Sequence, residues 1–386
     1  MPSSADVIVV GLGAAGAATL FQLSKRGVRV LGIDRHAPPH DLGSSHGQSR
    51  ITRQAIGEGA EYAPLALRAH QLWREIEAET GHQLMQTTGC LVIGPLDISE
   101  APLGKPQFVR RTIEVAERFA IPHQVLDADE IRRRFPQFAP RQSEVACYEP
   151  GGGLVFPERC IAAQLSLAAR YRSAVHTGER VTAIAQTDDG IEVTTDQAIH
   201  RAGQVVVCAG PWTPGLLGGR YAADLGLYRQ TMHWFAPQAA VEFAPERMPV
   251  FIWLHGGEGG WFYGFPALDG DSAVKVACEQ FSASLPVPES MPREVSDGEA
   301  VAMHALHVAG RLPRLSARPL RSASCIYTMA PDQRFIVARD RERTRVTVVS
   351  ACSGHGFKHS AAIGEGVAQW LTGSAPPAML APFANF

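Results

Sequence analysis

Two arginines, Arg50 and Arg53, close the stretch Ser44-Ser45-His46-Gly47-Gln48-Ser49-Arg50-Ile51-Thr52-Arg53. A guanidinium grips a carboxylate or phosphate through two parallel hydrogen bonds, so the pair could hold an anion behind a Gly/Ser loop. Arginines on an ordinary surface loop would look the same. A second group is more specific: Gly11, Gly13 and Gly16, followed by Asp34. Gly11 permits a tight turn, Gly13 lets the backbone approach a pyrophosphate, and Gly16 lets helix and strand pack closely. Asp34 stands where a carboxylate would accept hydrogen bonds from ribose hydroxyls. The chemistry implied is dinucleotide binding.

These residues need a strand and a helix to position them, and the flanking sequence supplies both. Val7-Ile8-Val9-Val10 is a buried-strand pattern, Ala15 to Lys25 carries small and apolar residues at helical spacing up to Gly27, and Val28 to Ile33 is a second apolar run ending at Asp34. The helix N-terminus would present free N–H groups and a positive dipole end to the phosphates. Downstream, helices are expected over 62–80, 107–119, 157–171, 299–309 and 360–371. Strands are expected at 91–93, 180–185, 190–195, 204–210, 232–235, 251–254, 260–265, 273–277 and 346–350, with a turn at Gly151-Gly152-Gly153. The return of a strand and Gly-rich turn near the C-terminus predicts interleaved domains. The expected fold is α/β plus α+β: a Rossmann-like dinucleotide domain (1–80, 150–225, 325–386) interleaved with an antiparallel-sheet substrate domain (81–149, 226–324).

Composition narrows the class. The 386 residues are 45% hydrophobic and 19% charged, with net charge −2. A globular protein is expected, with no nucleic-acid or membrane partner. Seven scattered cysteines form no Cys-x-x-Cys pair, so neither a zinc site nor a disulfide framework is expected, and a reducing cytoplasm fits best. The opening residues lack a signal-peptide pattern, and no apolar run reaches membrane-spanning length.

Further segments extend the pattern: Gly264-Phe265-Pro266 with Lys275 downstream, Cys325-Ile326-Tyr327-Thr328, and Gly354-His355-Gly356-Phe357-Lys358. With the opening glycines and the Ser-Ser-His-Gly…Arg-x-x-Arg loop, they resemble the monomeric sarcosine oxidase and N-methyltryptophan oxidase family of flavin-dependent amine oxidases, over nearly the whole chain.

The resemblance implies FAD, attached covalently through Cys325. A free cysteine read alone is more often a small buried hydrophobe. It implies that Arg53 and Lys358 clamp a substrate carboxylate, that Lys275 activates oxygen, and that His46 and Arg50 tune the flavin and support its attachment. Tyr263 and Tyr327 match pocket aromatics, and Ser44, Gly354 and Gly356 belong to the cofactor-binding segments. Lys275 read alone could be a solvated strand lysine, and the two tyrosines could be core. One departure stands out. The family pattern has a histidine four residues after the oxygen-activating lysine, and Glu279 stands there. A carboxylate beside the amine would favour a substrate other than sarcosine itself.

The expected activity is oxidation of a secondary amino acid to an imine, with O2 converted to hydrogen peroxide, by a monomeric enzyme. The rival within the fold is an oxidase or dehydrogenase of a cyclic imino acid such as pipecolate or proline. Rivals of other classes are an NAD-dependent dehydrogenase, which leaves the Cys325 and Gly354–Lys358 segments unexplained, and a non-catalytic flavin-binding protein, which needs no Arg53–Lys358 clamp.

Overall fold

A computed structural model describes residues 4–96, 107–256, 260–268 and 270–386. The opening unit forms as expected: strand β1 (Ser4–Val10), helix α1 (Ala14–Lys25) and strand β2 (Val30–Asp34). β1 pairs in parallel with β2 on one side and with Ile199–Val207 on the other. Over Val7–Val10, buried on both faces, it is a continuous apolar run, as a central parallel strand must be.

Among the described residues this sheet has eight strands. The main path runs Val181–Gln186, Ile191–Thr195, Ile199–Val207, β1, β2, Ala174–Thr177, and Val346–Ser350 joins it in parallel at Val205 to Val207. Gly11 has a φ of +85°, and a Cβ there would lie 2.6 Å from the Cys208 carbonyl oxygen. A Cβ on Gly16 would lie 1.8 Å from the Gly11 carbonyl oxygen. Both positions therefore require glycine for the turn and the helix to close on the sheet. Helix Ser360–Thr372 packs against α1 so closely that a Cβ on Gly364 would meet the Ala18 backbone at 2.5 Å.

The second sheet has nine strands among the described residues and is antiparallel except where Cys90–Gly94 runs parallel to Val250–Leu254. Its spine is Gly226–Pro237, flanked by Val274–Ala277 and by the 15-residue strand Leu315–Met329. The expected domain boundary at 325 falls inside that last strand, because its ladder with Gly226–Pro237 continues to Met329. A third sheet joins Arg50–Thr52, Gly153–Val155 and Met85–Thr87.

Three local expectations shift. Gly153 is in a strand, and the strand expected at 204–210 begins at Ile199 and stops at Val207. The helix expected over 299–309 is α-helical only over Asp297–Met303, beginning with a Ser296–Glu299 capping box, and then widens into a π-helical turn. No helix among the described residues is long and apolar enough to cross a membrane.

Candidate active site

The carboxyl ends of β1 and β2 open onto a cavity of about 580 Å³. Gly11, Gly13 and Asp34 line it from the first sheet, and Tyr263, Glu279 and Tyr327 from the second. Ser44, Arg50 and Arg53 border it from the loop after β2, and Gly354, Gly356 and Lys358 from the turn after Val346–Ser350. Stretches far apart in the chain thus converge on one space, as ligand sites at the ends of parallel strands do.

The nucleotide side fits a dinucleotide. No side chain caps the N-terminus of α1 and no acidic residue sits in its first turn, so its N–H groups face an anion without competition. A Cβ on Gly13 would meet only Ser45 Oγ, at 3.9 Å, so this glycine is open to the cavity. The Asp34 carboxylate is buried and accepts from the Leu12 N–H at 2.7 Å and the His36 N–H at 2.8 Å. Each oxygen keeps a lone pair for a ribose hydroxyl.

Arg50 is anchored by its own loop. Its Nη1 donates to the Ser49 carbonyl at 2.9 Å and its Nη2 to the Ser44 carbonyl at 2.8 Å, while Ser44 Oγ donates to the Ile326 carbonyl at 2.5 Å. His46 is buried, its Nε2 has no hydrogen-bond partner, and burial beside Arg50 pushes its pKa down to about 4. The ring is therefore neutral at physiological pH.

Lys275 is 3% exposed, so it is not a solvated strand lysine. Its Nζ donates to the Gly47 carbonyl at 2.8 Å and the Ser49 carbonyl at 2.6 Å, and lies 4.0 Å from the centre of the Phe265 ring. Burial, with Arg50 close by, holds its pKa well below that of an ordinary lysine. Lys275 and His46 stand behind the Gly47–Arg50 loop and are not among the side chains lining the cavity.

Cys325 is 2% exposed and also lies outside the lining, whereas Cys208 and Cys352 border the cavity. Alternation along the strand nevertheless puts Cys325 on the same face as Tyr327, which does line it. Burial pushes the Cys325 thiol up, while Arg50 and Lys275 pull it toward the thiolate.

At the second-sheet side, Tyr263 Oη and Tyr327 Oη lie 3.2 Å apart, and burial raises both phenols above their ordinary range. Glu279 borders the same cavity, against the turn at Gly354: a Cβ there would sit 2.5 Å from Glu279 Oε1. Gly354 has a φ of +77°, so the backbone favours glycine, and a larger residue would push the Glu279 carboxylate aside.

Arg53 is 1% exposed and pairs through Nη2 with Glu58 at 2.5 Å. Its Nη1 donates to the Ala55 carbonyl, its guanidinium lies 5.4 Å from the centre of the Phe108 ring, and its buried Nε has no hydrogen-bond partner. Lys358 Nζ donates to the His355 carbonyl at 2.8 Å. Sequence reasoning missed Glu58, which sets the charge balance around Arg53, and Cys352 and His355, which line the cavity. No spacing signal marks Glu58. The other two sit inside or beside the Gly-rich turn already singled out.

The model of the FAD dependent oxidoreductase family matches residues 6–370. The chain is 41% identical over 382 residues to monomeric sarcosine oxidase of Streptomyces avermitilis, covering 97% of this chain and 95% of that protein. It is 32% identical over 381 residues to N-methyl-L-tryptophan oxidase of Yersinia pestis, covering 98% of each. Among solved structures, NikD, described as an unusual amino acid oxidase essential for nikkomycin biosynthesis, superimposes with a TM-score of 0.84 at 24% identity, over 99% of this chain and 97% of that one.

Proposed function

Because this chain belongs to the FAD dependent oxidoreductase family, we propose that it is an FAD-containing oxidase of secondary amino acids, of the N-methyl type. The observation that carries this reading is the shared cavity: two buried cations, Arg53 and Lys358, border the same space as Tyr263, Tyr327 and Glu279. A carboxylate and an amine on one small molecule match that arrangement.

Gly11, Gly13, the α1 N-terminus and Asp34 would hold the nucleotide half of FAD, and Ser44, Arg50, Gly354 and Gly356 would border its other half. Bound FAD would supply the two-electron acceptor that turns a secondary amine into an imine and lets O2 leave as hydrogen peroxide. The protein's own part is positioning and charge. Arg53 Nε is a buried donor awaiting an acceptor, so a substrate carboxylate would gain a charged hydrogen bond there and a second cation in Lys358. Fixing the carboxylate fixes the carbon beside the amine. The two phenols stay protonated and can orient the amine through hydrogen bonds without adding charge.

Lys275 is the proposed oxygen-activating residue, since a fixed cation stabilises the anion that forms when O2 takes an electron. Cys325 is the proposed attachment point for the flavin 8-methyl group. Arg50 and Lys275 favour the thiolate that such attachment needs. Glu279 makes a substrate with a side chain larger than that of sarcosine the better fit, because a donor on that side chain could meet the carboxylate. A monomeric, cytoplasmic enzyme completes the proposal.

The test is a visible spectrum of the purified protein followed by a substrate panel. Flavin absorbance, and peroxide release with N-methyl amino acids, are expected. A protein that cannot bind FAD, or that oxidises only cyclic imino acids, would overturn the reading.

A further inference from the structure

Away from the substrate side of the cavity, three side chains converge at the edge of the first sheet. His176 lies on the edge strand Ala174–Thr177, Glu179 in the turn that follows, and His200 near the start of Ile199–Val207. Glu179 Oε2 accepts from His176 Nδ1 at 2.8 Å, and Oε1 accepts from His200 Nε2 at 2.6 Å. One ligand atom from each residue lies within 4.8 Å of the other two, and among the described residues no other group of three or more histidine, cysteine or acidic side chains converges in this way. Glu179 and His200 are buried, and the His176 side chain is 41% exposed.

We propose that His176, Glu179 and His200 form a binding site for a divalent transition-metal ion of the zinc type. Two imidazole nitrogens and one carboxylate oxygen are a donor set that such ions take, and the solvent side beside His176 leaves room for a water as the fourth ligand. The geometry is close to what is required. Donor atoms around a tetrahedral zinc with bonds of about 2.0–2.1 Å stand about 3.4 Å apart. Each ring nitrogen now bonds a different oxygen of Glu179, at 2.8 and 2.6 Å, and the three ligand atoms lie within 4.8 Å of one another, so closing on an ion needs ring shifts on the order of an ångström while the ring protons move to the opposite nitrogens. Glu179 is already held in place, because Thr195 Oγ1 donates to its Oε1 at 2.7 Å. Fixing a ligating carboxylate from behind is the usual task of an outer hydrogen bond.

The site also touches the nucleotide side of the cavity. The Glu179 N–H donates to the Asp34 carbonyl at 3.1 Å, and residues 179–182 line the cavity. A bound ion would tie the Ala174–Thr177 edge strand and the 178–180 turn to Ile199–Val207. Metal binding should therefore raise the thermal midpoint of the protein, by simple linkage to the folded state. The function argued above is independent of this ion.

The experiment uses tag-free holoenzyme stripped with a chelator and then equilibrated with micromolar Zn2+, its metal content read by elemental analysis. One zinc per chain is expected for the wild type, with a raised thermal midpoint, and Co2+ in place of Zn2+ should give tetrahedral ligand-field bands to the red of the flavin absorption. Removing one protein ligand in His176→Ala should weaken binding by at least about 100-fold, beyond the 10–100-fold typical of losing an outer partner. Flavin content and peroxide production should remain normal, since His176 is half-exposed and away from the cavity lining. Glu179→Gln, which keeps the side chain's size, should abolish binding as well. Should His176→Ala lose its flavin, His176→Gln repeats the measurement. No zinc in the wild type, or equal zinc in wild type and the His176 variants, would reduce the trio to a hydrogen-bonded carboxylate–histidine cluster and overturn the proposal.

Discussion

Lys275 and Arg50 donate to one acceptor: the Ser49 carbonyl oxygen lies 2.6 Å from Lys275 Nζ and 2.9 Å from Arg50 Nη1. Two cationic side chains from different sheets are thereby held at a single backbone atom. Arg50 keeps its charge under all conditions, and burial, with that charge beside it, pulls the Lys275 pKa well below the ordinary lysine value.

For Lys275, the expected outcome is a defect confined to the oxygen reaction. In Lys275→Met, anaerobic reduction by substrate should persist while reoxidation slows by roughly 10²–10³-fold, the usual effect of losing one preorganised charge. In the wild type the oxygen reaction should slow as pH rises, because the ammonium is lost below the usual lysine range. Stopped-flow measurement of the two half-reactions decides this; equal slowing of both would make Lys275 a structural residue.

The covalent link is checked by mass spectrometry of a tryptic digest. An FAD-sized adduct on the peptide containing Cys325 is expected, and Cys325→Ala should release the flavin on acid precipitation. Cys352 and Cys208 border the cavity more directly, so an adduct on either of them would sink the assignment.

Replacing Arg53 should weaken carboxylate binding. In Arg53→Met, the loss of a desolvated charged hydrogen bond costs on the order of 2–5 kcal/mol, read as a weaker Kd for a carboxylate inhibitor titrated against the flavin spectrum. The single variant also strands Glu58, which is paired and buried, at a stability cost of about 3–5 kcal/mol. The double variant Arg53→Met/Glu58→Gln should recover stability and not affinity. Unchanged inhibitor binding in either variant would remove Arg53 from the clamp.

Glu279 should act on substrate choice and on pH. An anion beside the amine favours the ammonium, the form that cannot be oxidised. Glu279→His should raise sarcosine turnover relative to the best substrate on the order of tenfold, equivalent to about one pKa unit at the amine, and move the rising limb of the pH–rate profile to lower pH. A wild type that already prefers sarcosine, or an unchanged ratio, would leave Glu279 a bystander.

Acid should destabilise the second sheet through a histidine pair. His255 Nε2 and His307 Nδ1 lie 3.0 Å apart, and burial lowers their pKa values to about 3 and about 4. Unfolded histidine binds its proton near pH 6.5, so between that pH and about 4 the unfolded chain holds more protons and stability falls as pH falls. The stabilisation is complete above pH 6.5. A shift of this size at one such residue is worth on the order of 3 kcal/mol. Thermal melts at pH 7 and pH 4.5 should differ less in His307→Gln than in the wild type.

The opening turn was legible because every requirement in it is local: strand, glycines and helix lie within one βαβ unit, and Asp34 ends its second strand. The site was legible only as a set of segments. That Arg53 would meet Glu58, or Lys275 the carbonyls of Gly47 and Ser49, depends on how sheets come together, which spacing does not record. The strand Leu315–Met329 escaped notice for a different reason. Arg318, Pro319 and Arg321 break its apolar alternation, and the ladder tolerates the proline at a register shift opposite Trp234 and Phe235. His176, Glu179 and His200 escaped for a third, since two turns of chain separate the last ligand from the first two.

The contact between Gly364 and Ala18 bears on the order of synthesis. Helix α1 lacks this packing partner until the helix at 360–372 has left the ribosome. Gly354, Gly356 and Lys358, which complete the cavity, arrive just before it. A growing chain can form its glycine turn early, yet it has no closed chamber to retain a cofactor until the segment at 354–358 has been made. Cofactor capture then waits for these distant segments, and the intermediate before it exposes one apolar flank of α1, a natural point for chaperone engagement.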